Sequence, residues 1–148
     1  MSEIVLSGVD NKKIEKEYKL SDFSGKKFVL YFYPKDNTQG CTQEACDFRD
    51  NLNRISKYAL IIGISPDSIK SHIKFIEKQN LNFLLLSDPE HKLAEKFNVW
   101  VEKSMYGRKY TGIERSTFII NEKGEIEYEW RKVKVKGHVD EVINYLKP

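Results

Sequence analysis

The chain has 148 residues, 40% of them hydrophobic and 32% charged, the profile of one ordinary globular domain rather than of a disordered chain. With 25 basic and 22 acidic side chains the formal net charge is only +3, so no nucleic acid or other polyanion is expected as the main partner. Its most apolar stretch, residues 28–33, is far below the ~20 residues needed to span a bilayer, and residues 1–8 lack the basic start and long apolar run of a leader. A cytoplasmic protein with no membrane partner is expected.

In chain order, residues 27–33 (KFVLYFY) are aromatic and β-branched, end at Pro34, and read as a buried central strand. Asp36-Asn37-Thr38-Gln39-Gly40 supplies turn chemistry. Cys41 then opens a helical pattern, with Ala45, Phe48, Leu52 and Ile55 at three- and four-residue steps, which predicts a helix over about 42–56. Residues 59–64 (ALIIGI) form a second buried strand, closed by Ser65-Pro66-Asp67, and 68–79 have helical spacing through Ile69, Ile73 and Ile76. A third short strand is expected at 83–86, then a helix through Leu93, Ala94 and Phe97. Residues 116–121 and 126–135 read as a hairpin around Glu122-Lys123-Gly124, and 139–146 as a C-terminal helix. There is no repeat and no linker, so one domain over 1–148 is expected. Strands alternating with helices imply parallel crossovers, and the late hairpin adds antiparallel strands. The class is α/β, a central mixed sheet with helices on both faces.

Only two cysteines occur, Cys41 and Cys46. A chain this long needs no disulfide staple, and a close pair in a reducing compartment points to redox chemistry or metal binding. His72, His91 and His138 are far from the pair in sequence, so a Cys/His metal site is not supported. His72 and His91 read as solvated helix residues, and His138 lies near a helix start.

The turn after the first strand places Cys41 near a helix N-terminus at the carboxyl end of a strand, the edge where open α/β sheets hold their sites. The thiolate is the nucleophile, and lowering a cysteine pKa by two units takes about 2.7 kcal/mol of preferential stabilisation. A helix dipole supplies about 0.3–1 kcal/mol, up to about 2 in favourable geometry. A cation from elsewhere in the chain is therefore required. Arg49, Arg54, Arg108, Arg115 and Arg131 are the arginine candidates, and spacing does not choose among the distal ones. Thr38, three residues before Cys41, is a local hydroxyl able to share its pocket. Cleaving a peroxide bond would use such a hydroxyl and guanidinium to align the attacked oxygen and stabilise the leaving one. In an intact helix, residues five apart have Cα atoms about 8–9 Å apart, beyond the ~7 Å limit of a disulfide. A bond between Cys41 and Cys46 therefore requires the first turn to unwind. Taken singly, Cys46 fits an inert buried thiol and Thr38 a turn residue; only in combination do they point to chemistry.

That combination resembles peroxiredoxins. Tyr31-Phe32-Tyr33-Pro34-Lys35-Asp36-Asn37-Thr38-Gln39-Gly40-Cys41-Thr42 is similar to their active-site segment, with Pro34, Thr38 and Cys41 fitting P-x-x-x-T-x-x-C. Gln43 to Asp50 (QEACDFRD) resembles the bacterioferritin comigratory protein subgroup, also called peroxiredoxin Q, as do YGRKY at 106–110, GIERSTF at 112–118 and VKVKGH at 133–138. The resemblance implies a thioredoxin-like fold, no cofactor and no metal. It further implies a peroxidatic Cys41, a resolving Cys46, Thr38 contacting the peroxide, Pro34 shielding the sulfur, and Arg115 stabilising thiolate and peroxide. Glu44 would orient the active-site arginine. Hydroperoxide is the implied substrate and thioredoxin or a similar dithiol protein the implied reductant; a monomer, at most a weak dimer, is expected. Two departures stand out: Gln39 replaces the usual proline, which predicts altered loop rigidity, and the charged residues 11–19 fit the family's opening hairpin poorly.

The competing reading is a thioredoxin-like disulfide oxidoreductase, whose usual Cys-x-x-Cys differs from the four intervening residues here. A binding module built on residues 131–136 (RKVKVK) is the other rival, but alternation of Lys with Val reads more simply as a strand with one solvated face. Trp100 and Tyr106 near Arg108 suggest base stacking on that reading; surface or pocket-lining aromatics are the simpler account.

Overall fold

The computed structural model describes residues 3–148; Met1 and Ser2, the start of the segment read for a leader, lie outside the described residues. Every residue of β3 (Phe28–Phe32) is buried. Phe28, Leu30 and Phe32 enter one apolar cluster, while Val29 and Tyr31 enter another. Alternate side chains leave a strand on opposite faces, so a strand apolar on both must be covered on both. β4 (Leu60–Ser65) runs parallel to β3, and β5 (Leu84–Ser87) parallel to β4. β8 (Ser116–Ile120) flanks β3 antiparallel on the other side and pairs with β9 (Ile126–Trp130).

With β1 (Leu6–Val9) and β2 (Glu15–Tyr18), these make a seven-stranded mixed sheet in the order β2-β1-β5-β4-β3-β8-β9. One face packs against α1 (Gln39–Asp50), the single turn α2 (Leu52–Ile55), α3 (Ile69–Gln79) and α5 (His138–Leu146). The other packs against α4 (Lys92–Lys96), with Leu20 and Phe23 of a 3-10 turn beside it. The mixed sheet covered on both faces agrees with the sequence expectation. No helix among the described residues is long and apolar enough to cross a membrane.

Several boundaries differ from expectation. The helix expected at 42–56 begins at Gln39 and breaks at Asn51, whose φ of −111° and ψ of 11° leave the helical region. The strand expected at 126–135 stops at Trp130, because Lys132 takes a left-handed φ of 51° and turns the chain away. Residues 131–136 are therefore a loop, not a strand with one solvated face; the Val133 amide donates to the Arg115 carbonyl at 2.9 Å. The charged N-terminal segment does form a hairpin, β1 with β2. β2 is an exposed edge strand, where charged side chains deter pairing with a second chain. Sequence periodicity missed a separate hairpin, β6 (Trp100–Met105) with β7 (Arg108–Ile113). Its strands are mostly solvated, so they carry no apolar alternation. Its signal is the turn itself: Tyr106 and Gly107 both have positive φ, as a two-residue hairpin loop demands.

Candidate active site

The chain leaves β3 at the carboxyl edge of the sheet and crosses to α1 through residues 33–38. A buried polar network fixes this crossing. The Tyr33 hydroxyl donates to Asp36 Oδ1 at 2.6 Å, Ser71 Oγ donates to Asp36 Oδ2 at 2.8 Å, and His72 Nδ1 meets the same oxygen at 2.6 Å. His72 Nε2 lies 2.8 Å from the Leu86 carbonyl, within hydrogen-bond distance. The Asp36 amide in turn donates to Asp67 Oδ2 at 2.7 Å. Three elements thereby hold one loop: α3, β5 and the β4–α3 connection.

His72 is fully buried, which corrects its reading as a solvated helix residue. The buried stripe of α3 is His72, Phe75 and Ile76, rotated one residue from the isoleucine stripe read in the sequence. His91 is half-buried and stacks on Trp100 with ring centroids 3.5 Å apart, so one face of each ring is taken up by the other. Tyr106, by contrast, is exposed at the hairpin tip.

Thr38 is the N-cap of α1, and its carbonyl accepts the Thr42 amide at 2.8 Å. The Thr38 hydroxyl donates to the Lys35 carbonyl at 2.9 Å and is exposed to solvent. Pro34, at the other end of the loop, is half-buried. Cys41 is the third residue of α1 and is buried at 2% exposure. It thus sits in the first turn, where unpaired backbone N–H groups and the helix dipole favour negative charge.

Of the five arginine candidates, Arg115 alone reaches it. Arg115 Nη2 donates to Cys41 Sγ at 3.3 Å, and Nη1 donates to Glu44 Oε1 at 2.6 Å. One guanidinium therefore clamps a sulfur and a carboxylate one helical turn apart, a geometry open to a planar fork and not to an ammonium. Arg49 donates to the Gln79 carbonyl, Arg54 to Asn51, and Arg131 to the Phe97 and Asn98 carbonyls behind α4. Arg108 is exposed on β7. Arg115 lies in the two-residue link between β7 and β8, and the 131–136 loop fastens it through the Val133 amide.

Glu44 is fully buried, and its Oε2 has no hydrogen-bond partner. Burial pushes its carboxyl from 4.5 up to about 7, with the Arg115 charge pulling the other way. Burial works against the Arg115 charge, but Glu44 and Cys41 outweigh it and hold its pKa above the ordinary value. The sequence did not point to Lys103 of β6. Burial lowers its pKa first and the nearby Arg115 charge second, with Cys41 acting in the opposite sense. His138, at the start of α5, meets Thr117 Oγ1 at 2.8 Å; burial, then Arg115, lowers it to about 4.

Cys46 is a half-buried free thiol farther along the same helix and donates to Gln79 Oε1 at 3.5 Å. The two cysteines thus share α1 but face different partners, Arg115 and Gln79. A buried sulfur at a helix start, held by a guanidinium, can act as a nucleophile; a second thiol within the same helix can act on the product.

The chain is similar to known proteins along most of its length. The AhpC/TSA family profile matches residues 5–129. The chain is 61% identical to Peroxiredoxin Bcp of Bacillus subtilis (strain 168) over 130 residues, covering 87% of this chain and 83% of that protein. It is 45% identical to Peroxiredoxin Bcp of Escherichia coli (strain K12) over 129 residues, 86% and 83% of the two chains. Among solved structures, bacterioferritin comigratory protein of Xanthomonas campestris, studied for its alkyl peroxide reduction activity, superposes with a TM-score of 0.89 at 43% identity, covering 97% of this chain and 89% of that one.

Proposed function

The chain belongs to the AhpC/TSA family, as a thiol peroxidase of its Bcp group, and on that premise we propose that it reduces hydrogen peroxide and organic hydroperoxides with Cys41 as the attacking thiolate and Cys46 as the resolving thiol. The observation that carries the assignment is the Arg115 guanidinium spanning Cys41 Sγ and Glu44 Oε1. It supplies the cation that the helix dipole alone cannot replace.

In this mechanism the Cys41 thiolate attacks the hydroxyl oxygen of the peroxide, the O–O bond breaks, and the departing hydroxide or alkoxide takes up a proton from solvent and leaves as water or an alcohol. Arg115 stabilises both the thiolate and the charge developing on the oxygens. The Thr38 hydroxyl, already donating to the Lys35 carbonyl, keeps its lone pairs free to accept the peroxide proton and aim the oxygen at the sulfur. Pro34 covers the sulfur from the loop side, and Glu44 fixes the guanidinium plane. Cys41 emerges as a sulfenic acid. The Cys46 sulfur attacks it, the S–S bond forms, the S–O bond breaks, and the departing hydroxide takes up the Cys46 proton and leaves as water. A dithiol protein such as thioredoxin then reduces the disulfide. The protein acts as a single-domain cytoplasmic monomer without a cofactor.

The test is rapid mixing of pre-reduced protein with hydrogen peroxide. In Arg115→Ala the second-order rate of thiol oxidation is expected to fall by about 100-fold or more, the scale of losing one preorganised oxyanion donor. Arg115→Lys should recover little of it, since an ammonium cannot span both partners. Unchanged rates in Arg115→Ala would remove the arginine from the mechanism.

A further inference from the structure

The two halves of α1 are held by separate sets of contacts. Arg115 secures the N-terminal turn through Cys41 and Glu44. The C-terminal half is stitched to the end of α3. Gln79 is the last residue of α3, where helix carbonyls lack intrahelical donors. Arg49 Nη1 satisfies its carbonyl at 2.5 Å and places a cation at the negative end of that helix. The exchange is reciprocal, because Asn82 Nδ2 donates at 3.2 Å to the Arg49 carbonyl in the last turn of α1. Cys46 lies inside this stitch, its thiol donating to Gln79 Oε1.

The halves also differ in their hold on the core. Gln39 and Gln43 are exposed and Gly40 and Thr42 half-buried, whereas Ala45 and Phe48 have no exposed surface. Phe48 packs against Tyr31 with ring centroids 4.6 Å apart. Unwinding 39–43 therefore uncovers little besides Cys41, while unwinding 45–49 would pull an aromatic ring out of the core.

We propose that Gln79 and Arg49 are positioning residues for the resolving step: they keep Cys46 seated at the end of α3 while the N-terminal turn of α1 unwinds and carries oxidised Cys41 to it. This rests on Cys46 being the resolving thiol. In the step, the Cys46 sulfur attacks the Cys41 sulfenic sulfur, the S–S bond forms, the S–O bond breaks, and the departing hydroxide takes up the Cys46 proton as water. The side-chain oxygen of Gln79 orients the thiol up to that point, and Arg49 holds Gln79 in place through its backbone carbonyl.

Rapid mixing with peroxide separates the peroxide-dependent first phase from the peroxide-independent disulfide-forming phase, and amide hydrogen exchange compares the reduced and disulfide forms. In Arg49→Met and in Gln79→Ala the second phase is expected to slow, by about tenfold or more for Arg49, the weight of one hydrogen bond to a charged group. The first phase should stay within about twofold and serves as the control on folding. Exchange should rise on oxidation at 39–44 and stay slow at 47–50. A second phase as fast as or faster than wild type in both variants, or lost protection at 47–50, would overturn the inference and leave Cys46 as resolving thiol. Absence of a Cys41–Cys46 disulfide in the wild type would overturn both.

Discussion

Arg115 reaches Cys41 because the chain leaves room for it. A Cβ built at Gly40 would lie 3.3 Å from Arg115 Nη2, tighter than an ordinary contact, so the glycine before the cysteine keeps the guanidinium against the sulfur. Glu44 is the counterpart with a measurable cost. Its folded-state value of about 7 lies above the ordinary 4.5. Below about pH 4.5 the carboxyl is protonated in both folded and unfolded chains, and its contribution to stability is fully present. As pH rises through about 7 the folded protein must hold a buried charge, and that contribution is lost. The loss is about 3 kcal/mol between those limits. His138, lowered to about 4, acts with the opposite sign: its contribution is present above 6.5 and lost on acidification. Chemical denaturation of wild type and Glu44→Gln across pH 4.5 to 7 therefore isolates Glu44. The wild-type curve should fall relative to the variant as pH rises, and parallel curves would mean that Glu44 ionises as freely folded as unfolded.

At the scale of elements, α1 starts where its sequence departs from the family resemblance. Gln39 is the first helical residue after the N-cap Thr38, whose φ of −86° and ψ of 158° already suit a residue preceding proline. Proline is favoured at that first position, where the missing N–H would have no helical partner. Gln39→Pro is thus expected to raise unfolding stability by about 0.4–1 kcal/mol, by restricting the unfolded chain. The same change should slow disulfide formation, since the turn that must unwind becomes stiffer. A destabilised variant would show that the Gln39 amide has a partner essential to the fold. The cysteines, Thr38, Pro34 and the buried strands were legible in the sequence because their chemistry is local. Arg115 was nameable only through resemblance, since spacing cannot choose among five arginines. The Asp36–His72 network was not legible, because a histidine on an amphipathic helix looks solvated until the rotation of its buried stripe is known. β6 and β7 were missed for the opposite reason, their strands being too exposed to show apolar alternation.

For the whole molecule, the fold brings three distant stretches to one sulfur. The first turn of α1 supplies Cys41, the β7–β8 junction supplies Arg115, and the 131–136 loop fastens that junction through Val133. The reduced protein keeps both cysteines in α1 as free thiols, so the proposed Cys41–Cys46 disulfide requires a local rearrangement of that helix. The most direct measurement is intact mass and thiol count after pre-reduced protein meets one equivalent of hydrogen peroxide, run beside Cys41→Ser and Cys46→Ser. Rapid loss of both thiols with a mass decrease of about two units is expected, because two thiol hydrogens leave as one S–S bond forms. Cys41→Ser should stay reduced, and Cys46→Ser should stop at a sulfenic acid. Oxidation no faster than that of a free thiol, or a disulfide-free product in the wild type, would contradict the assignment of Cys41 as attacking thiolate and Cys46 as its resolving partner.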